Sequence, residues 1–207
     1  MEAAPLPPLF ERLAGIGVEL QFSVFENVDG DPQSAVAAIG AMLAGVGEDM
    51  DAALLTELGG RRISEATFLG DWVDPATRAL IQRGTWTAKD GRKRVDPVLT
   101  TLEGEAFGGL ASGIPPMGSG GQFAYAFLCP PFGLQASPVE IQSLFDGLLA
   151  FLLPPGQASE ITDWSCPELY DVSSYFSAGL EWWGVFLFTI WQPGSRRLIV
   201  IGASTTD

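Results

Sequence analysis

The chain contains no histidine. That absence removes the usual general base, the commonest zinc ligand and every Ser-His or Cys-His nucleophile pair. Positive charge is missing locally as well: residues 95–195 hold no Lys or Arg but ten acids. Phosphate contact requires cations, so nucleic acid is a poor partner for the second half of the chain. Cysteine is scarce. Cys129 and Cys166 stand far apart with no CxxC pair, the pattern of reduced, buried thiols rather than of a disulfide framework or a zinc site. Each precedes a proline, a pairing known in some haem-responsive proteins, but no histidine is present to share an iron and a structural role is favoured. The motifs GxSxG, GxxxxGK[ST] and a complete GxGxxG are lacking, and Gly118-Ser119-Gly120-Gly121 has no strand-turn-helix context for a phosphate. Asp29-Gly30-Asp31 matches two positions of a calcium loop without the later ligands. No catalytic residue, metal ligand or cofactor site is therefore expected. The N-terminus has an acid where a signal peptide needs a positive region, and the apolar runs are about half the length of a membrane span. The expected location is the cytoplasm, with no membrane partner.

What is present is apolar and acidic. Hydrophobic residues make up 47% of the 207 positions and charged residues 17%, which excludes disorder and allows one domain with a substantial core. Net charge is −14 and unevenly placed: residues 1–94 hold nine bases against fourteen acids. Arg outnumbers Lys nine to two and Gly, Ala and Pro abound, the drift of a GC-rich genome, so a bacterial source is expected.

The C-terminal stretch Glu181 to Ala203 organises the expected fold. From Trp182 to Trp191 the only polar side chain is Thr189, and Leu198 to Ile201 has none. A strand without alternation must be covered on both faces, and an edge this apolar would aggregate. Gln-Pro-Gly-Ser supplies a turn, with Gly194 taking the positive φ of a type II geometry. We expect an α+β fold: a single domain, 1–207, with a mainly antiparallel sheet centred on the hairpin 182–191/198–203, and helices packed on one side or end. The other expected sheet strands are 18–25, where alternation is cleanest, and 123–128. Expected helices are 32–44, 48–58, 75–83 and 138–153, the last behind a Ser137-Pro138-Val139-Glu140 capping box. Residues 1–84 form a helix-rich N-terminal subregion, with a short helix near 9–14 and a short strand near 67–69. A Lys89-Asp90-Gly91-Arg92 turn joins strands 85–87 and 93–95. Residues 104–121 form a Gly/Pro-rich loop, and 160–179 an irregular connection with a short helix between Cys166 and Tyr175.

Function must then rest on a surface. Asp163, Trp164, Glu168, Tyr170, Asp171, Tyr175 and Glu181 interleave acids with aromatic rings in one segment. Aromatics anchor interfaces, and acids of one sign steer a cationic partner and fix its register. The expected function is a non-catalytic acidic binding protein that masks a basic protein, such as a toxin or effector enzyme. In charge, size and lack of catalytic groups the chain resembles the acidic immunity proteins of bacterial toxin systems, compact cytoplasmic inhibitors that occlude cationic enzyme sites. That resemblance implies toxin inhibition and carries no family motif. Two other readings remain: a glycosidase-like hydrolase using Asp163, Glu168 or Asp171 as a carboxylate pair, and a structural subunit that buries its aromatic segment in a homodimer.

Overall fold

The computed structural model describes residues 1–104, 107–111, 122–181 and 183–205. In chain order its elements are α1 (Pro8–Gly15), β1 (Gln21–Phe25), α2 (Pro32–Gly45), α3 (Ala52–Leu58), β2 (Arg61–Ile63), α4 (Glu65–Leu69), β3 (Gly84–Ala88), β4 (Lys93–Val95), β5 (Phe107–Ala111), α5 (Phe123–Leu128), α6 (Pro138–Leu152), β6 (Glu160–Asp163), α7 (Leu169–Val172), β7 (Phe186–Gln192) and β8 (Arg197–Ala203), with short 3₁₀ turns between them. Five strands pair antiparallel in the order β1-β8-β7-β6-β2. The β7–β8 hairpin lies in the middle of this sheet, as its apolar sequence requires. Its register sets Phe188 against Ile201 and Ile190 against Ile199. The α+β class, the single domain and the central hairpin are all as expected from the sequence.

The period-2 geometry of the strands splits the core in two. Phe186, Phe188, Ile190, Ile199 and Ile201 face a cluster filled by α1, α4, α5 and α6, whereas Leu187, Leu198 and Val200 face one filled by α2, α3 and α7. Helical cover is thus fuller than one side or end, because strands apolar on both faces need a layer on each. Both sheet edges are blunted. The Ala4 amide donates to the Val24 carbonyl of β1 at 2.7 Å, and β2 is three residues long with two arginines.

Helix α6 shows how the sequence fixes one layer. Ser137 Oγ accepts from the Glu140 amide, and Pro138 occupies the first turn. Instead of closing the capping box, the Glu140 carboxylate pairs with Arg12, and a Glu103 carboxylate oxygen accepts from the Val139 amide at 3.0 Å. Phe145, Leu148 and Leu152 then present fully buried side chains to the hairpin. At its far end, Gln192 Nε2 donates to the Leu152 carbonyl and Arg197 Nη2 to that of Phe151, both at 2.9 Å.

Several segments depart from the sequence expectation. Phe123–Leu128 is a helix, not a strand; all six side chains are buried, and a run apolar on every side reads alike in either conformation. Alanines at 124 and 126 favour the helix, and Phe68 stacks on Phe123 with ring centroids 4.5 Å apart. Residues 75–83 form no helix. Asp74 does accept from the Ala76 and Thr77 amides, but Arg78 turns to φ 59° and the chain doubles back, bridging Val73 to Leu80 and Ile81 to Val98. Residues 67–69 belong to α4, capped by Ser64, rather than to a strand. The 160–179 connection contains β6 and α7, while β2 carries no alternation long enough to be seen. In the hairpin turn, positive φ falls on Arg196 and not on Gly194, because Gln192 pairs with Arg197 and leaves a four-residue loop. The 85–87/93–95 hairpin forms as expected, and β5 adds a third strand to it from within the expected loop 104–121. Residues 105–106 and 112–121, including Gly118 to Gly121, and Trp182 lie outside the described residues.

Candidate interaction face

Strand β6 pairs with both β2 and β7, which pulls the start of the acidic aromatic segment into the sheet. Asp163 is consequently only 4% exposed and Trp164 5%. The Asp163 carboxylate accepts from the Ser165 amide at 3.0 Å and meets Arg61 Nη2 at 3.3 Å. Trp164 Nε1 donates to Thr189 Oγ1 at 3.0 Å, so the one polar side chain of the apolar run is explained as an internal acceptor. These two residues, expected to meet a partner, are built into the fold beneath the surface.

The remainder of the segment does reach solvent. Glu168, just ahead of α7, and Tyr170 and Asp171 on it are exposed, with Tyr170 at 48%. Tyr175 is half-buried against the ring of Phe176, and burial, with a smaller contribution from the Glu19 carboxylate, pushes its phenol up to about 12. Glu181 is exposed ahead of β7. Segment 160–181 therefore separates into a buried base, 163–164, and an exposed acidic aromatic turn, 168–171.

A second acidic stretch, which sequence reasoning passed over, joins that turn. The Asp51 amide donates to the Val172 carbonyl at 2.9 Å, and Ser174 Oγ donates to Glu48 Oε2 at 2.5 Å. Asp51 also caps α3 through the Leu54 amide at 2.9 Å. Glu48, Asp49 and Asp51 are thus pinned beside α7, with Asp49 and Asp51 exposed. The signal was available in the sequence: residues 13–60 hold eight acids and no Lys or Arg. Packed together, 13–60 and 95–195 make up all the helices on one side of the sheet, so that layer contains no base of its own. The bases at its border are answered, Arg61 by Asp163, Arg62 by Glu160 and Arg196 by Asp29.

For the carboxylate-pair reading, Asp163 and Glu168 border one hollow of about 350 Å³ together with Arg61, Ser165 and Cys166. Asp171 does not line it. Asp163 faces this hollow already engaged by a guanidinium and an amide. Burial pushes the half-buried Cys166 thiol up, and that of Cys129 to about 12. Both cysteines are free and pack against opposite faces of the sheet. Among the described residues no group of three or more Cys, Asp or Glu is arranged to hold a metal ion, and no helix is long and apolar enough to cross a membrane.

No protein-family model matches the chain, and neither the curated proteins nor the solved structures yield a match to it.

Proposed function

We propose that this protein is a non-catalytic binding protein whose base-free layer masks a cationic protein partner, in the manner of an immunity protein or other inhibitor of a basic toxin or effector enzyme in the bacterial cytoplasm. The observation that carries the reading is the joining of the stretch with Glu48, Asp49 and Asp51 to the segment that bears Glu168, Asp171 and the exposed ring of Tyr170. Like charges gathered on one surface without intervening bases raise the energy of the free protein and are relieved by a partner of opposite sign. An exposed aromatic between two of them in the chain is the kind of anchor that carries interface energy.

The roles follow from the placement. Asp49, Glu168 and Asp171 act at the rim and govern the rate of encounter; Tyr170 is the anchor and governs dissociation. Trp164 packs in one apolar cluster with Leu169 and Val172 of α7, and Asp163 fixes the turn at Ser165 that leads to it.

Affinity capture from the source cell tests the proposal. A specifically retained protein with a basic contact surface, released by Tyr170→Ala and by moderate salt, is the expected result. Capture of an acidic protein, or a complex indifferent to Tyr170 and to salt, overturns it.

A further inference from the structure

Where the α2/α3 layer stops short of β2 and β6, the sheet face is left open, and a cavity of about 330 Å³ lies between the helices and the strands. That volume is at the lower end of small-molecule sites. Its walls are two indoles, Trp164 and Trp191. Each indole is seated against a glycine. A Cβ at Gly60 would come within 2.7 Å of the Trp164 ring, and one at Gly30 within 2.1 Å of the Trp191 ring. Only glycine at both positions lets the rings stand where they do, and together they frame the cavity.

Pro32, Ala35, Val36 and Leu198 continue the apolar wall, and the remaining lining forms a polar edge of mixed sign. Thr162 and Thr189 lie side by side in the β6–β7 register and both border the cavity. Thr189 is 3% exposed, and its hydroxyl accepts the Trp164 indole proton. Its own proton therefore needs an acceptor, and none is in place for it among the described residues. At the rim the Arg62 guanidinium pairs with the Glu160 carboxylate, placing donors and acceptors side by side with more than half of the Arg62 side chain in solvent.

We infer that this cavity binds a single pyranose ring, through its apolar C–H face against an indole and its hydroxyls on the threonine and Arg62–Glu160 edge. A flat heterocycle would use the indoles but offer little to the Thr189 hydroxyl, and leaving a buried donor unpaired is costly. Asp31 also borders the cavity, but both of its carboxylate oxygens accept from Ser34 at the start of α2 and Glu160 is answered by Arg62, so neither acid is left to a cation. Sugar hydroxyls both donate and accept, so they match a threonine that needs an acceptor as readily as a carboxylate of which Arg62 engages one oxygen. The inference is independent of the acidic docking face, since it concerns binding by the isolated chain to a neutral ligand.

Saturation-transfer NMR with the methyl pyranosides of glucose, galactose, mannose and N-acetylglucosamine, each also as a trisaccharide, provides the test. At least one is expected to bind with a dissociation constant on the order of 1 mM. A preference for the monosaccharide marks a free sugar as the source, and a preference for the trisaccharide marks a glycan chain. Thr56→Phe, at the exposed mouth on α3, is expected to weaken that binding at least tenfold with an unchanged melting temperature. Glu160→Gln, which keeps the shape and releases Arg62, is expected to weaken it several-fold. The inference is overturned if none of the pyranosides binds, if uracil binds the site in their place, or if both variants bind as the parent does.

Discussion

Replacing Asp163 by alanine separates a structural acid from a docking acid. In the structure the Asp163 side chain is 2% exposed and bonded to the Ser165 amide at 3.0 Å and to Arg61 at 3.3 Å. A hydrogen bond to a charged acceptor contributes about 1.5–3 kcal/mol. The Arg61 side chain is 64% exposed, so its pairing is screened by water and is worth no more than about 0.2–1 kcal/mol. Truncation should therefore cost roughly 2–4 kcal/mol. For a domain of this size, about 2–4 °C of melting temperature is lost per kcal/mol, so the midpoint should fall by roughly 4–16 °C. Asp163→Asn keeps an acceptor oxygen for the Ser165 amide and should lose about half as much. Circular dichroism during thermal and urea unfolding measures both, and a double-mutant cycle with Arg61→Ala should return a coupling below about 1 kcal/mol. An Asp163→Ala protein that melts with the parent would refute the reasoning and return Asp163 to the surface.

Leu148→Ala removes a fully buried side chain of α6 and should cost about 2–5 kcal/mol in urea unfolding; an unaltered midpoint would remove α6 from the core. The phenols of Tyr125 and Tyr175 are raised to about 12, by burial first and by nearby Cys129 and Glu19 second. A raised folded value means that their neutral forms contribute stability that is intact below the unfolded value of about 10 and lost as pH rises towards 12. Thermal stability should fall over that interval, and the phenolate absorbance of these two side chains should rise in it only as the fold gives way; early, fully reversible ionisation of all three tyrosines would contradict this. The Cys129 thiol, pushed to about 12 by burial, should resist alkylation in the native protein and react once unfolded, whereas immediate native labelling would place it at the surface.

Much of the layered plan was legible because strong local signals agreed. The Asp31-Pro32 and Ser137-Pro138 starts, the wide stripe of α6 and the unalternating β7 and β8 each describe one element, and each formed within a few residues of its expected bounds. The failures share a different physical cause. Phe123–Leu128 lies in the interior with apolar neighbours all round, so burial was readable but conformation was not. Asp74-Pro75 is a sound cap, yet the turn it starts is ended by Arg78, and the chain is recruited by the bridges Val73–Leu80 and Ile81–Val98, the second of them long-range, that no helix-like periodicity announces. Strands β2 and β6 exist because they complete a sheet whose centre lies elsewhere in the chain. The same limit applied to the candidate face. An acidic aromatic segment could be located, but whether Asp163 and Trp164 faced water depended on β6 pairing with β7. The contribution of Glu48, Asp49 and Asp51 depended on a bond between segments more than a hundred residues apart.

The central claim, that a base-free acidic layer bearing Tyr170 receives a cationic protein, is tested most directly by association kinetics with the captured partner at two ionic strengths. The comparison is between the parent chain, an Asp49→Asn, Glu168→Gln, Asp171→Asn variant, and a control with Glu2→Gln and Glu11→Gln, one of whose changes lies on α1 across the sheet. Screening sets in beyond about 8 Å at physiological salt. The account predicts that at low salt the triple variant associates roughly tenfold or more slowly than the parent, that the control associates as the parent does, and that the difference shrinks as salt is raised. Equal on-rates for the parent and the triple variant at low salt, or an equal loss in the control, would contradict it.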